Sequence, residues 1–352
     1  MKAWVLHDIN DFRYEEVTKP YCRDGEVLVK VKTTGICGSD IPRVYETGAH
    51  VKPLIIGHEF SGIVEKESQS LWSGKRVGIF PLIPCRKCEP CKKGFYEMCR
   101  NYSYLGSRRD GGFAEYVSVP ETNLIELPHN VTYEQAAMLE PMAVSVHAMR
   151  RGIFLMNNKD IIHNTVVVWG LGTIGLLLAM FLKQSGVKKL LVIGNKDFQR
   201  EKIKELNISA DCYCDSRSND VKSWISEHTE GNGPDLFFEC VGKNEIVSDI
   251  IDIAKPGGSI VLVGNPYTDM NFPKNTFWKI LRNQLKITGT WNSAFTGDVN
   301  DDWRYVLGCL ERGEINPETL ISHTYDLEHI IEGFDIMKNK KEDYIKIMMN
   351  NG

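Results

Sequence analysis

Apolar and polar positions alternate along Glu26-Val27-Leu28-Val29-Lys30-Val31-Lys32, the pattern of a strand with one buried face. Gly62-Ile63-Val64-Glu65 and Lys75-Arg76-Val77-Gly78-Ile79-Phe80 predict further short strands, punctuated by glycine and proline. Residues 1 to about 140 therefore read as a β-rich unit, a barrel or sandwich whose loops can carry a site. The pattern changes near Glu134. Gln135 to Met149 has helical spacing, with its turns bent by Pro141. The apolar run Thr165-Val166-Val167-Val168-Trp169 predicts a buried strand, followed by a helix over 173–185, a strand over 189–193 and a polar helix over 197–206. Strands follow at 236–240, 259–263 and 286–289, with a helix over 247–254 between the first two. Such alternation predicts a parallel sheet covered on both faces. Beyond about residue 292 the pattern is mixed, with helices over 302–312 and 327–339.

A chain of 352 residues is long enough for two domains. Its 42 basic and 46 acidic side chains leave a net charge of −4, which argues against general nucleic-acid binding. The apolar stretch at Met1–Asp8 is too short for a signal peptide. The most apolar run, Ile174 to Leu182, is nine residues, against roughly 20 for a bilayer span. The expectation is a cytoplasmic chain with no membrane partner.

The strand ending at Trp169 runs into Gly170-Leu171-Gly172-Thr173-Ile174-Gly175, a G-x-G-x-x-G with a strand before it and an apolar helix after. Gly170 permits the tight turn, Gly172 the approach of a pyrophosphate, and Gly175 close packing of helix on strand. The helix start offers N–H groups to the phosphates. An acid at the end of the next strand binds the ribose 2′-hydroxyl of NAD, whereas a small residue with a cation nearby suits the 2′-phosphate of NADP. Here that position is Gly194, followed by Asn195 and Lys196, with Arg200 one turn on. The alternative is that Asp197 takes the acid's role in a shifted loop.

Ten cysteines include a cluster, Cys85-x-x-Cys88-x-x-Cys91 followed by Cys99. Four thiolates at this spacing close a tetrahedral structural zinc site. An iron–sulfur cluster uses similar spacing, but the Cys-Pro ending is missing. Residues 86–110 hold seven basic and three acidic side chains, which allows a zinc ribbon gripping nucleic acid as a weaker alternative. Cys37, the pair His58-Glu59, and Glu140 are dispersed donors of the types that hold a catalytic zinc with an exchangeable position. Spacing alone does not join them.

Gly35-Ile36-Cys37-Gly38-Ser39-Asp40, Gly57-His58-Glu59, the four-cysteine lobe and the Gly170 fingerprint occur in the order found in zinc-dependent medium-chain dehydrogenases/reductases, which the chain resembles throughout. The resemblance implies an α/β protein with a GroES-like catalytic domain from residues 1–140 and 291–352, carrying the structural zinc lobe at 85–99. A Rossmann dinucleotide-binding domain would occupy 141–290. It implies two zinc ions per subunit, one held by Cys37, His58 and Glu140 with Glu59 as an exchanging ligand or neighbour. It also implies NAD(P) as cofactor, and Gly194 and Lys196 tip the expectation toward NADP. Ser39 would relay the substrate's proton, and Pro42 stands where some relatives carry the next relay group, a histidine. A homodimer or homotetramer is implied.

Within the family, Cys37–Arg43, Gly48-Ala49-His50, His58–Gly62, Gly106–Tyr116 and Thr276–Arg282 resemble the polyol-phosphate dehydrogenase group. The implied reaction is hydride exchange between a polyol or ketose phosphate and NAD(P), with galactitol 1-phosphate and tagatose 6-phosphate as the first expectation. Arabitol or ribitol phosphate, or an unphosphorylated polyol such as sorbitol, are the alternatives. Gly194 departs from the aspartate of the resembled enzymes. A phosphate needs arginine at a fixed distance from the metal. The pair Arg108-Arg109 is the first candidate, with one of the two facing the site, and Arg43 and His50 are the second. The plain alternative is that the pair forms surface ion pairs with Asp110 or Glu115.

Overall fold

The computed structural model describes residues 1–66, 70–156 and 161–352, and the chain forms two compact units, Met1–Pro141 with Ala294–Gly352, and Met142–Ser293.

The first unit is built on the strand Glu26–Gly35. Val27, Val29 and Val31 point into one core, where they meet Phe60, Phe113 and Phe334. Three strands pair with it antiparallel: Glu59–Val64, Tyr116–Pro120 and the C-terminal Lys346–Asn350. The last of these returns the chain end to the unit where the chain begins. Arg76–Ile79 and Leu124–Glu126 extend the sheet on one side and Ile321–Tyr325 on the other. A separate sheet joins Asp11–Glu16, Lys2–Asp8 and Leu54–Ile55.

The single helix expected over 135–149 is two. Tyr133–Ala137 starts with a capping box, in which Thr132 Oγ1 accepts from the Gln135 N–H and Gln135 Oε1 accepts from the Thr132 N–H, at 3.0 and 3.1 Å. The second helix is Leu139–Leu155. Pro141 lies in its first turn, where its missing N–H has no intrahelical partner to lose, so it bends nothing and the break falls at Met138.

In the second unit six parallel strands lie in the order Tyr213–Asp215, Lys189–Gly194, Thr165–Trp169, Leu236–Glu239, Ser259–Leu262, Lys286–Gly289. Numbered along the chain, this is 3-2-1-4-5-6, the doubly wound order that places a nucleotide at the carboxyl ends of its central strands. Val167, Leu191, Phe237 and Ile260 form the sheet's buried centre. The helix Lys274–Arg282, not expected from the sequence pattern, leaves Phe277, Trp278 and Leu281 exposed. Among the described residues no helix is long and apolar enough to cross a membrane.

Candidate functional site

In the first unit Cys37 follows the strand Glu26–Gly35, and His58 and Glu59 stand at the start of the neighbouring strand. Antiparallel pairing of Gly35 with Glu59 brings them together. Ligand atoms of Cys37, His58 and Glu59 lie within 4.8 Å of one another. Gly35 leaves room for this meeting, because a Cβ there would strike Glu59 Oε2 and the Lys346 side chain.

Asp40 holds the group in place. It is fully buried; its Oδ2 accepts from the Cys37 N–H at 3.0 Å, and its Oδ1 takes Arg43 Nη1 at 2.5 Å and lies 3.5 Å from His58 Nδ1. Burial by itself would push the His58 pKa down. The Asp40 carboxylate and the Cys37 thiol outweigh it and raise His58 to about 10. The Cys37 thiol is pushed up by burial and pulled down further by His58, for a net lowering. A thiolate, an imidazole and carboxylates held this way suit a divalent cation of borderline softness. Ser39 Oγ donates to Cys37 Sγ at 3.4 Å.

Glu59 also forms a buried ion pair with Lys346, whose Nζ donates to the Ile36 carbonyl at 2.9 Å. Burial lowers the Lys346 pKa to about 8. A carboxylate has two oxygens, so pairing one with Lys346 leaves the other for a metal. Glu140 is buried at the start of the helix Leu139–Leu155, outside the three-residue cluster. Tyr104 Oη donates to its Oε1 at 3.1 Å, and the Tyr104 ring meets the His58 ring edge-on at 5.8 Å. Burial pushes the Glu140 carboxyl up, against the His58 charge.

The four-cysteine lobe is equally compact. Cys88 Sγ lies 3.4 Å from Cys91 Sγ and 3.9 Å from Cys99 Sγ, and all four sulfurs lie within 4.8 Å of one another, unbridged. Zinc–sulfur bonds of about 2.3 Å in a tetrahedron set sulfurs about 3.8 Å apart, so the donors fit that ion. Backbone N–H groups of Arg100 and Cys91 lower the Cys88 thiol to about 6, favouring the thiolate that a metal needs.

In the second unit Gly170 has φ 105°, which only glycine adopts at low cost. A Cβ on Gly172 would meet nothing within 4 Å, so a cradle stands open there. A Cβ on Gly175 would strike the Gly170 carbonyl. Gly172 precedes the helix Thr173–Gln184, whose start has no side-chain cap. The turn fits a pyrophosphate.

Residues 23–129 match the alcohol dehydrogenase GroES-like domain, and residues 173–312 the zinc-binding dehydrogenase domain. Galactitol 1-phosphate 5-dehydrogenase of Escherichia coli K12 is 33% identical over 330 residues, 92% of this chain and 93% of that one. The chain belongs to the zinc-type medium-chain dehydrogenases/reductases. Sorbitol dehydrogenase of Halalkalibacterium halodurans is 32% identical over 99% of both chains. The crystal structure of the E. coli galactitol-1-phosphate dehydrogenase superposes with a TM-score of 0.89 at 30% identity, covering 99% of this chain and 100% of that one. A zinc-binding dehydrogenase of Sinorhizobium meliloti, solved bound to NADP, gives 0.87 at 28% identity, over 99% and 98%.

In this dehydrogenase the arginine pair diverges. Arg109 makes a two-pronged contact with Glu26, at 2.7 and 2.8 Å, rather than with Asp110 or Glu115. Those two carboxylates accept from the backbone N–H of Ile55 and Lys2. Arg108 is exposed, stacks over Tyr102 at 4.9 Å, and donates its N–H to the Tyr104 carbonyl at 2.8 Å. Arg43 Nη2 reaches Ser107 Oγ at 3.5 Å. The exposed His50 has its pKa lowered by its partial burial and by the charges of Arg108 and Arg43, which favour its neutral form. Gly194 ends its strand, and Lys196 lies over Phe198 at 5.4 Å. Asp197 pairs with Arg217, which also grips Asp215.

Asp40, Tyr104 and Lys346 were not singled out from the sequence. Asp40 had a signal, three residues after Cys37 where a carboxylate can capture the backbone. Lys346 had a weaker one, a cation in an otherwise apolar strand.

Proposed function

We propose that this dehydrogenase oxidises a polyol phosphate, galactitol 1-phosphate first among them, to the ketose phosphate, with NADP as the preferred acceptor. The observation that carries the reading is the pair of arginines Arg108 and Arg43, whose charges both act on His50, with Arg43 tied through Asp40 to the metal cluster. Arginine's fork suits a phosphate dianion.

A zinc ion bound there would supply Lewis acidity toward the substrate oxygen, and a bound nicotinamide a hydride acceptor. Cys37, His58 and Glu59 would hold the metal, and Glu140, gripped by Tyr104, would be the carboxylate able to exchange with Glu59. Asp40 orients His58. Ser39 Oγ would take the alcohol's proton and hand it to solvent water, by an outer path that does not run through residue 42, because Pro42 has no group to accept it. Cys85, Cys88, Cys91 and Cys99 hold a second, structural zinc. Gly170, Gly172, Thr173, Ile174 and Gly175 receive the pyrophosphate, and Asn195 and Lys196 the 2′-phosphate. Lys286–Gly289 is an edge strand, and the exposed face of Lys274–Arg282 supplies apolar surface, which together support a homodimer through the second unit.

An unphosphorylated polyol is the second reading, favoured by the comparable likeness to a sorbitol dehydrogenase. The test is absorbance of reduced nicotinamide formed by zinc-loaded enzyme on galactitol, ribitol, arabitol and sorbitol, each with and without a phosphate, with NAD and NADP. Turnover confined to the phosphorylated forms supports the proposal. Turnover of none of them removes it.

A further inference from the structure

Gly194 lies outside the left-handed backbone region, so conformation does not demand glycine there. Space does. A Cβ at 194 would stand 2.5 Å from Gln199 Oε1 and 3.0 Å from Leu171 Cδ1 and Tyr213 Cε2. Gln199 is buried, and both ends of its amide are engaged. Its Oε1 accepts from the N–H groups of Asn195 and Lys196, at 2.8 and 3.1 Å. Its Nε2 donates to the Leu171 carbonyl at 2.9 Å. Leu171 belongs to the glycine-rich turn. One side chain thus ties the loop after the second strand to the turn that opens the first helix, and its oxygen stands where a side chain at 194 would go.

We propose that Gln199 sets the cofactor choice of this enzyme, by occupying the place of the carboxylate that would bind the ribose 2′-hydroxyl of NAD. The proposal rests on the NADP reading above and deepens it. Gln199 is a positioning residue: it acts through Asn195 and Lys196, whose N–H groups it fixes. A carboxylate introduced at 194 alone has to displace the amide, which strips two N–H groups and a carbonyl of their partner and sets oxygen against oxygen. The neighbouring acids do not replace it, because Asp215 and Asp197 both pair with Arg217.

The test is calorimetric titration of NADP and of NAD into wild type, Gly194→Asp, Gln199→Ala and the double variant, with the thermal unfolding midpoint of each. Gly194→Asp alone is expected to bind both nucleotides at least about tenfold more weakly and to unfold at a lower temperature. Adding Gln199→Ala is expected to restore the midpoint and tighten NAD at least about tenfold over that single variant, ~1.4 kcal/mol, with NADP still weak. Gln199→Asn, which withdraws the amide by one methylene, takes its place if the alanine form does not fold. A purely structural Gln199 would weaken both nucleotides alike and leave the double variant worse than either single one. That result overturns the proposal, as does a Gly194→Asp variant that binds NAD as tightly as the double. Tighter binding of NAD than NADP by wild type would overturn the cofactor reading instead, while the coupling of 194 to 199 is still read from the same titrations.

Discussion

A buried carboxylate is costly unless charges and donors surround it, and Asp40 has Arg43, the Cys37 N–H and His58 around it. Groups that orient a metal ligand in this way typically change affinity 10–100-fold when lost. Asp40→Asn is therefore expected to weaken zinc binding about tenfold or more, measured by competition with a chelator, while the fold survives. The two arginines separate by experiment. Arg108→Ala is expected to cut kcat/KM for a polyol phosphate about tenfold, ~1.4 kcal/mol, with little change for the parent polyol. Arg109→Ala should spare that ratio and lower stability by about 1–2 kcal/mol near neutral pH, since charge-assisted bonds contribute on that order. Its pH dependence follows from Glu26, whose pKa Arg109 holds down at about 2 against the effect of burial. A pKa depressed below the unfolded value of about 4.3 gives stability that is complete above that value and lost as pH falls toward 2. Denaturant unfolding of wild type and Arg109→Ala should differ most at about pH 7 and converge at about pH 2. An unchanged gap at low pH would contradict this assignment.

Elements that announce themselves in sequence are those whose reason is local. The strand–turn–helix around Gly170 was legible because its apolar run, its glycines and its helix lie within one short stretch. The cysteine lobe was legible for the same reason, since four thiols within fifteen residues must meet. Cys88→Ser is expected to remove one zinc per chain and lower the unfolding midpoint, with the other metal retained; metal analysis with thermal melts checks it. Loss of both metals at once would contradict two independent sites. The helix break at Met138 was not legible, because it depends on the Thr132 capping box and on where Pro141 falls in the next turn. The Glu59–Lys346 pair was hidden for a different reason: its partners lie 287 residues apart and meet only through strand pairing at Gly35.

On the scale of the whole molecule, the chain divides into two units, and the first is closed by its own C-terminal strand against Glu26–Gly35. The doubly wound sheet was legible from alternating strands and helices. The exposed face of Lys274–Arg282 was not, because nothing in a local pattern says which apolar side chains remain uncovered. If that face joins two copies, Leu281→Asp should shift the enzyme from dimer to monomer in sedimentation, whereas an unchanged dimer would place the interface elsewhere. The reading as a whole stands on the substrate's phosphate. Its most direct test is the ratio of kcat/KM for galactitol 1-phosphate to that for galactitol, measured on zinc-loaded wild-type enzyme with NADP. The ratio is expected to exceed about tenfold, ~1.4 kcal/mol in transition-state binding; equal use of the two substrates would contradict the account.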